Sequence, residues 1–185
     1  VMVDNDGSRT NREAFLEYAK PRIPMPMDEF ERVMTEFYEN GYTAVASVIK
    51  QKPAMINAVS ALKAKGIKLI VTTNPVFPLA ALLFRLRCGG YDPAMFDFVT
   101  SYETSSYAKP SPDYYTETLR RLSMDPANTL IVGNDEKEDV ESGKVAGMLA
   151  YYLTDTPIPC KDARFKPDFS GSSEDFLAFA RTLGR

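Results

Sequence analysis

The sequence predicts an α/β fold in which a parallel sheet is covered by helices and is preceded by a short helical segment. From residue 52 onward, helical patterns alternate with short β-branched apolar runs, and this order is typical of a parallel sheet. Residues 11–50 hold helical patterns and no convincing strand. With 185 residues, 44% of them hydrophobic, the chain can bury one core with a small appendage. We therefore predict a helical part, residues 1–51, and an α/β part, residues 52–185.

Two helices are predicted in the helical part. The first, "NREAFLEYAK", is stopped by Pro21, because proline cannot continue a helix. The second, "MDEFERVMTEFYENG", repeats apolar residues at helical spacing from Phe30 to Phe37 and ends at Asn40-Gly41, a common helix stop. The helical part is therefore expected to contribute helices alone to the fold.

The α/β part repeats helix and strand in order. Its first helix, "KPAMINAVSALKAKG", has Pro53 early and Gly66 just past its end. The run "IKLIVTT" that follows is typical of a strand buried on both faces. The same order recurs in "LAALLFRLR" before "FDFVTSYE", "SPDYYTETLRRL" (with Ser111 as predicted N-cap) before "TLIVG", and "EDVESGKVAG" before "LAYYLTD", and a helix, "SSEDFLAFARTL", closes the chain. Right-handed crossovers would bring the carboxyl ends of these strands to one edge of the sheet.

The composition excludes several classes of partner. The net charge is −3 and no block of Lys and Arg occurs, so neither a nucleic-acid surface nor a surface for anionic membranes is expected. Apolar runs such as "AVASVI" are too short to span a bilayer, and no signal peptide opens the sequence. Cys88 and Cys160 form neither a metal-binding spacing nor a disulfide framework. These features predict a cytoplasmic protein.

The chain contains no histidine. Without an imidazole, the Ser-His-Asp and Cys-His mechanisms are impossible, and zinc sites lose their most common ligand. Chemistry must then depend on carboxylates, hydroxyls, lysine and hard metal ions. This points to Mg²⁺ and phosphate, since oxygen ligands bind Mg²⁺ and charge neutralisation dominates phosphoryl transfer.

Polar residues follow the predicted strands where a ligand site is expected. Thr73 and Asn74 come after the first strand, Asp135 and Asp139 after the third, and Lys109 stands in a Pro-rich loop between them. Taken singly, each has a structural explanation, as a turn residue, a solvated loop lysine or an acidic first turn of a helix. Their joint occurrence at the carboxyl edge favours a site that holds phosphate oxygens and a cation.

These segments resemble motifs of the haloacid dehalogenase-like (HAD) superfamily of phosphohydrolases. "KLIVTTNP" looks like the second motif of that family, "AKPSPDYY" like the third and "TLIVGNDEKEDVESGKVAGM" like the fourth. The resemblance covers residues 52–155. It implies a HAD-like Rossmannoid parallel-sheet core with a small helical cap, the cap being residues 1–51. It also implies an Asp nucleophile that forms an aspartyl-phosphate, a second Asp two residues later as general acid/base, and bound Mg²⁺.

By the same resemblance, Thr73 would bind the phosphoryl oxygens and Asn74 the substrate. Lys109 would bridge the nucleophile and the phosphate, and Asp135 and Asp139 would serve the metal. The family commonly has Gly-Asp where this chain has "GND". Whether Asp135 or Glu138 shares the metal with Asp139 therefore stays open.

The opening stretch, "VMVDNDGSRT", is similar to the first motif of the family. On that interpretation Asp4 is the nucleophile and Asp6 the acid/base. Only three residues precede Asp4, and the helical segment that follows resembles an inserted cap, which lies downstream of the nucleophile strand in the family. We favour a polar turn between cap helices. A chain without the first-motif strand would leave strand edges uncovered, so upstream residues, another chain or Asp4 itself would have to supply what is missing.

The leading hypothesis is a Mg²⁺-dependent phosphohydrolase that acts on a small phosphorylated metabolite. An alternative is a catalytically inactive binding or scaffold protein that keeps the phosphate site without the nucleophile. A receiver-type phosphoacceptor domain is disfavoured, because its acids precede Thr and Lys in the chain. A haloacid dehalogenase is disfavoured because paired acids suit Mg²⁺ and phosphate better than a carbon–halogen bond. The sequence indicates neither the substrate nor the oligomeric state.

Overall fold

The computed structural model describes residues 1–184, which divide into two compact units. The first unit comprises residues 1–52 and 68–108, and the second comprises residues 53–67 and 109–184. The first unit therefore combines the predicted helical part with residues 68–108 of the predicted α/β part, and the second unit lies wholly within the predicted α/β part. The predicted division at residue 51 into a cap and a core stays a prediction.

The helices are α1 (Asn11–Ala19), α2 (Met27–Asn40), α3 (Pro53–Ala64), α4 (Leu79–Cys88), α5 (Asp113–Arg121), α6 (Ser142–Val145) and α7 (Ser173–Thr182). Short 3₁₀ helices span Gly41–Val48, Pro93–Met95 and Pro126–Asn128, and a π-helix, Glu136–Glu141, runs directly into α6. The strands are β1 (Ile70–Val71), β2 (Phe98–Val99), β3 (Leu130–Gly133), β4 (Leu149–Leu153) and β5 (Phe169–Gly171). Among residues 1–184, none of these helices has both the length and the apolar character needed to cross a membrane.

The predicted helices are confirmed in order, and their ends follow local chemistry. Thr10 and Glu13 form a reciprocal capping box at the start of α1, and Ser172 and Asp175 form another at the start of α7, which satisfies backbone donors that the helices leave unpaired. The helix α5 begins at Asp113, and Pro112 holds the N-cap position, although Ser111 was predicted there. The hydroxyl of Ser111 nevertheless accepts the backbone N–H of Asp113 at 3.3 Å, as a capping side chain does.

All strand pairs are parallel, as predicted, but they form two sheets. In the first unit β1 pairs only with β2, and in the second unit β3, β4 and β5 follow in that order. Strand β5 was not predicted, because its three residues, "FSG", carry no apolar run. Among the described residues, β1 and β3 each have one neighbouring strand. Each therefore presents an unpaired edge. Strands β1 and β2, predicted over the seven residues of "IKLIVTT" and the eight of "FDFVTSYE", pair over two residues each.

The second unit packs helices closely on its sheet. The ring of Tyr151 in β4 lies 4.9 Å from the ring of Phe176 and 5.4 Å from that of Phe179, both on α7. On the other face of the sheet, a Cβ added to Gly143 of α6 would lie 2.7 Å from the side chain of Ile131 in β3. Glycine is therefore needed for this close approach. The approach holds α6, and the π-helix before it, directly over the end of β3.

The opening stretch is a turn that docks within the first unit. Residues 3–10 contain turns and bends and no strand. The side-chain amide of Asn5 donates to Oδ1 of Asn11, and the buried Asn11 donates to the carbonyls of Pro75 and Tyr107. Gly7 has φ of +84°, and a Cβ there would lie 2.1 Å from the Tyr107 hydroxyl. The turn conformation favoured from the sequence is thus confirmed, and its place between cap helices stays a prediction. The positive φ of Gly7 favours glycine there.

Candidate active site

A buried ion pair lies at the carboxyl end of the sheet in the second unit. Lys109 comes just before α5, and its Nζ lies 2.5 Å from Oδ1 of Asp139 in the π-helix. Both residues are only 7% exposed. A buried charge is costly unless it is paired and hydrogen-bonded. Lys109 and Asp139 therefore depend on each other for their burial.

The carboxylate of Asp139 is held by three donors. Oδ1 accepts from Lys109 and from the hydroxyl of Tyr115, at 2.5 and 3.3 Å, and Oδ2 accepts from the backbone N–H of Asp135 at 3.1 Å. A Cβ added to Gly133 would lie 2.1 Å from Oδ2. The absence of a side chain at Gly133, at the end of β3, therefore leaves the space that the carboxylate occupies.

Asp135 lies beside Asp139 and also begins the π-helix. Its Oδ1 accepts from the backbone N–H groups of Lys137 and Glu138, both at 2.8 Å, which is an N-cap interaction. Among the described residues, no donor reaches its Oδ2. Asp135 thus has one oxygen with a structural role and one available for a ligand.

Four acidic side chains lie within residues 135–139, which we call the acidic turn. Burial raises the pKa of Glu138, and the neighbouring charge of Asp135 raises it further, against a lowering contribution from Lys109. In the part of the chain that the structure describes, no group of three acidic or cysteine side chains is arranged to hold a metal. Mg²⁺ is commonly held by one or two carboxylates, with waters and phosphate as its other ligands. The Asp135–Asp139 pair, with its available oxygens, suits that ion.

An irregular segment, residues 154–164, lies along the acidic turn. The side-chain amide of Asn134 donates to the carbonyl of Thr156 at 2.6 Å, and Ile158 N–H donates to the carbonyl of Asn134 at 2.8 Å. The N–H of Glu136 donates to the carbonyl of Ile158, and the carboxylate of Glu136 accepts from the N–H of Cys160. The backbone on both sides of Asp135 is therefore fixed by partners more than twenty residues later.

Glu141 anchors the other end of the same segment. Its carboxylate accepts from Lys137 Nζ at 2.5 Å and from the guanidinium and backbone N–H of Arg164. The side chain is 2% exposed. The hydrogen bond from Lys137, followed by those from Arg164, lowers the pKa of Glu141 to about 2. Sequence reasoning missed this contact, since residues 141 and 164 share no local spacing.

We predict that Glu141→Gln destabilises the protein by about 2 kcal/mol at pH 7, because a charged acceptor of several hydrogen bonds is replaced by a neutral one. A lowered pKa stabilises the fold above the ordinary pKa of the group, and that stability is lost as the pH falls. The difference from wild type should therefore be full above about pH 4.5 and shrink towards pH 2. Urea unfolding at pH 7, 4 and 3 measures it. The exposed Glu174→Gln is the control, and a difference independent of pH would contradict this explanation.

Thr73 and Asn74 follow β1 in the first unit, at the carboxyl end of that strand as predicted. The carbonyl of Thr73 accepts from the Thr100 hydroxyl at 3.1 Å. Oδ1 of Asn74 is buried and has no hydrogen-bond partner among the described residues. A buried acceptor without a donor is unusual, and it marks Asn74 as a position where a ligand could donate.

A pocket of about 310 Å³ lies next to this segment in the first unit. Its wall combines side chains of α1 and α2 with the residues after Asn74 and after β2: Met2, Arg12, Phe15, Leu16, Phe30, Glu31, Met34, Thr35, Tyr38, Val76, Pro78, Ala80, Tyr102 and Glu103. Arg12 and Glu31 form an ion pair at its wall. The pocket has the size of a site for a small molecule.

The structure thus brings together three of the five predicted residues. Lys109, Asp135 and Asp139 meet in the second unit, whereas Thr73 and Asn74 are neighbours in the first. Sequence reasoning missed the hydroxyl of Tyr115, because two adjacent tyrosines in a helical pattern predict only core packing. The roles of the five predicted residues toward phosphate and metal stay predictions.

Comparisons with known proteins place this arrangement in context. A family model of haloacid dehalogenase-like hydrolases matches residues 6–147. Phosphoglycolate phosphatase from Aquifex aeolicus is 35% identical over 122 residues, which cover 65% of this chain and 55% of the relative. A candidate β-phosphoglucomutase from Thermotoga maritima superposes with a TM-score of 0.64 at 22% identity, over 93% of this chain and 78% of its own.

A second solved structure, L-2-haloacid dehalogenase from Xanthobacter autotrophicus, has a TM-score of 0.57 at 17% identity and covers 71% of this chain and 61% of its own. At these identities the two structures show similarity of fold alone, and they confirm the predicted α/β fold class. The chain spans about half the length of the curated relatives that it matches.

Proposed function

The chain belongs to the haloacid dehalogenase-like hydrolase family, and from that premise we propose that it acts as a phosphatase on a small phosphorylated molecule. The reaction would use Mg²⁺ and an aspartyl-phosphate intermediate. The observation that carries the proposal is the buried Lys109–Asp139 pair beside Asp135 at the end of β3. Such a cluster places one ammonium group and several carboxylates where a phosphate and a cation can neutralise each other.

Lys109 is suited to hold phosphoryl oxygens. Its ammonium carries three N–H groups, and one of them donates to Asp139. Within residues 1–184, the other two have no hydrogen-bond acceptor. A buried ammonium with spare donors stabilises the charge that develops on a transferring phosphoryl group far better than one in water.

Thr73 and Asn74 are the other proposed phosphate and substrate groups. They follow β1 in the first unit, and the unpartnered Oδ1 of Asn74 supports a role in binding a ligand. The neighbouring pocket supports a leaving group of small-molecule size. We propose that the substrate is a phosphorylated metabolite, with phosphoglycolate as the first to test because the Aquifex aeolicus relative is a phosphoglycolate phosphatase.

Asp135 and Asp139 are the residues that would hold Mg²⁺, and Glu138 is the alternative to Asp135. The ion, when bound, would neutralise phosphate charge and polarise the phosphoryl group. Gly133 supports this assignment, because only a residue without Cβ leaves room for the Asp139 carboxylate against the strand end. The N-cap of Asp135 and the segment 154–164 would keep the acidic turn in place while the ion binds and leaves.

The nucleophile is either Asp4, with Asp6 as acid/base, or an aspartate that is not among these 185 residues. Asp4 lies in a turn rather than at a strand end, and its side chain is 88% exposed. An exposed carboxylate in a turn is poorly placed to attack phosphorus, since attack needs a fixed geometry and exclusion of water. The unpaired edges of β1 and β3 support the second possibility, because each could accept a further parallel strand.

Mg²⁺-dependent hydrolysis of p-nitrophenyl phosphate and of phosphoglycolate tests the proposal. The 185-residue chain is compared with its Asp4→Asn variant and with a chain extended at its N-terminus, each with and without EDTA. We expect turnover that requires Mg²⁺ in the extended chain and no effect of Asp4→Asn there. Loss of turnover in Asp4→Asn would instead identify Asp4 as the nucleophile. Mg²⁺-dependent phosphate binding without turnover in any chain would favour the inactive binding protein.

A further inference from the structure

Tyr115 of α5 places its hydroxyl directly on the acidic turn. The residue is 1% exposed. Its hydroxyl oxygen lies 3.3 Å from Oδ1 of Asp139 and 3.2 Å from the carbonyl of Glu138. A single O–H is therefore shared between the carboxylate of one residue and the backbone of the residue before it. Both acceptors belong to the π-helix, so the hydroxyl links α5 to that turn.

The two oxygens of Asp139 have unequal surroundings. Oδ1 accepts from Lys109 at 2.5 Å and, at 3.3 Å, from the O–H of Tyr115 that is shared with the carbonyl of Glu138. Oδ2 accepts only the N–H of Asp135 and keeps one lone pair with no donor among the described residues. Oδ1 thus has two donors and Oδ2 has one, so Oδ2 is the oxygen with more capacity for a further ligand.

The tyrosine ring has a separate role from the hydroxyl. Lys109 Nζ lies 5.5 Å from the centre of the Tyr115 ring and 6.0 Å from that of Tyr114. The two rings meet edge to face, 5.0 Å apart. They form an apolar wall beside the ammonium, and a cation near an aromatic face is stabilised by it. A change that removes only the hydroxyl leaves this wall in place.

We propose that Tyr115 is a positioning residue for the metal site, an inference that rests on the proposed function. Its hydroxyl, together with Lys109, holds Oδ1 of Asp139 so that Oδ2 keeps the orientation a divalent cation needs. Without the hydroxyl, the carboxylate can rotate about its terminal bond, and binding must then restrict that rotation. Groups that orient a metal ligand in this way typically change metal affinity by about tenfold or more when they are removed.

The test compares Tyr115→Phe with wild type and with two further variants, Asp139→Asn and Tyr152→Phe. Tyr152 is the matched control, because its buried hydroxyl in β4 has no hydrogen-bond partner among the described residues. Mg²⁺ binding is measured by calorimetry and by the rise in melting temperature with Mg²⁺ concentration. Where turnover is measurable, the Mg²⁺ concentration for half-maximal rate is read separately from the rate at saturating Mg²⁺.

We expect Tyr115→Phe to bind Mg²⁺ about tenfold more weakly than wild type, with near-wild-type rate once Mg²⁺ saturates. Tyr152→Phe should bind as wild type does. This split would not arise from a purely structural role, which would lower the rate at every Mg²⁺ concentration.

Equal Mg²⁺ affinity in Tyr115→Phe and wild type, with a weaker Asp139→Asn, would overturn the role of Tyr115 alone. Equal affinity in wild type and Asp139→Asn would overturn the proposed function and the role of Tyr115 with it. A matching loss in Tyr152→Phe would also overturn the inference, because any buried hydroxyl of this unit would then have the same effect.

Discussion

Replacing Lys109 with methionine is expected to lower phosphatase turnover by about 10³-fold or more, because one buried ammonium both neutralises the phosphoryl oxygens and pairs with Asp139. Methionine keeps the length and the apolar stem of the side chain and removes only the charge. Asp139 would then be buried without its main counter-charge. We therefore also expect a loss of stability of about 3 kcal/mol, the usual consequence of breaking a buried pair from one side.

The rate of p-nitrophenyl phosphate hydrolysis and urea unfolding measure the two effects of Lys109→Met separately, in the shortest chain that turns over. Lys144→Met is the matched control, because Lys144 also pairs with an aspartate, Asp168, at the edge of the same sheet. That partly exposed pair should contribute about 1 kcal/mol or less and no catalysis. Wild-type turnover in Lys109→Met would remove the interpretation of "AKPSPDYY" as a phosphate-binding motif.

The helices could be predicted from the sequence because residues close to each helix end determine where the helix begins or ends. The capping box at Thr10, the proline at position 53 and the asparagine–glycine pair at the end of α2 each act within a few residues of the helix end. The strands were predicted in number and direction for β1 to β4, but β1 and β2 were predicted too long. Strand length depends on neighbours elsewhere in the chain, and β1 has only β2 beside it among the described residues.

In the candidate site, too, the residues themselves could be predicted, whereas contacts between residues far apart in the sequence could not. Lys109, Asp135 and Asp139 could be found because parallel strands bring their carboxyl ends to one edge. The contacts that orient them could not be found, because Tyr115 and Arg164 reach the acidic turn from 23 or 24 residues away. Asp135 combines both cases. Its acidic first-turn position was interpreted as a helix feature or a ligand. The structure shows Oδ1 at the start of the π-helix, and a ligand role for Oδ2 stays a prediction.

The second large effect is expected for Asp139→Asn, which should weaken Mg²⁺ binding by about 100-fold and lower turnover by about 10³-fold. The amide keeps the shape of the side chain and removes the charge, and one oxygen is replaced by a group that donates. Lys109 then faces a neutral partner, and the N–H of Asp135 or the hydroxyl of Tyr115 faces a donor. Calorimetry with Mg²⁺ and the Mg²⁺ dependence of the rate are the measurements.

Two further variants decide which acid shares the cation with Asp139. Asp135→Asn keeps a good N-cap, so it isolates the loss of charge from the loss of the helix start. Glu138→Gln removes the carboxylate whose pKa is raised by burial and by its acidic neighbours. If Asp135 is the second ligand, Asp135→Asn weakens Mg²⁺ binding more than Glu138→Gln does, and the reverse order assigns that role to Glu138. A wild-type Mg²⁺ response in Asp139→Asn would contradict both, because Asp139 is the carboxylate that every proposed arrangement shares.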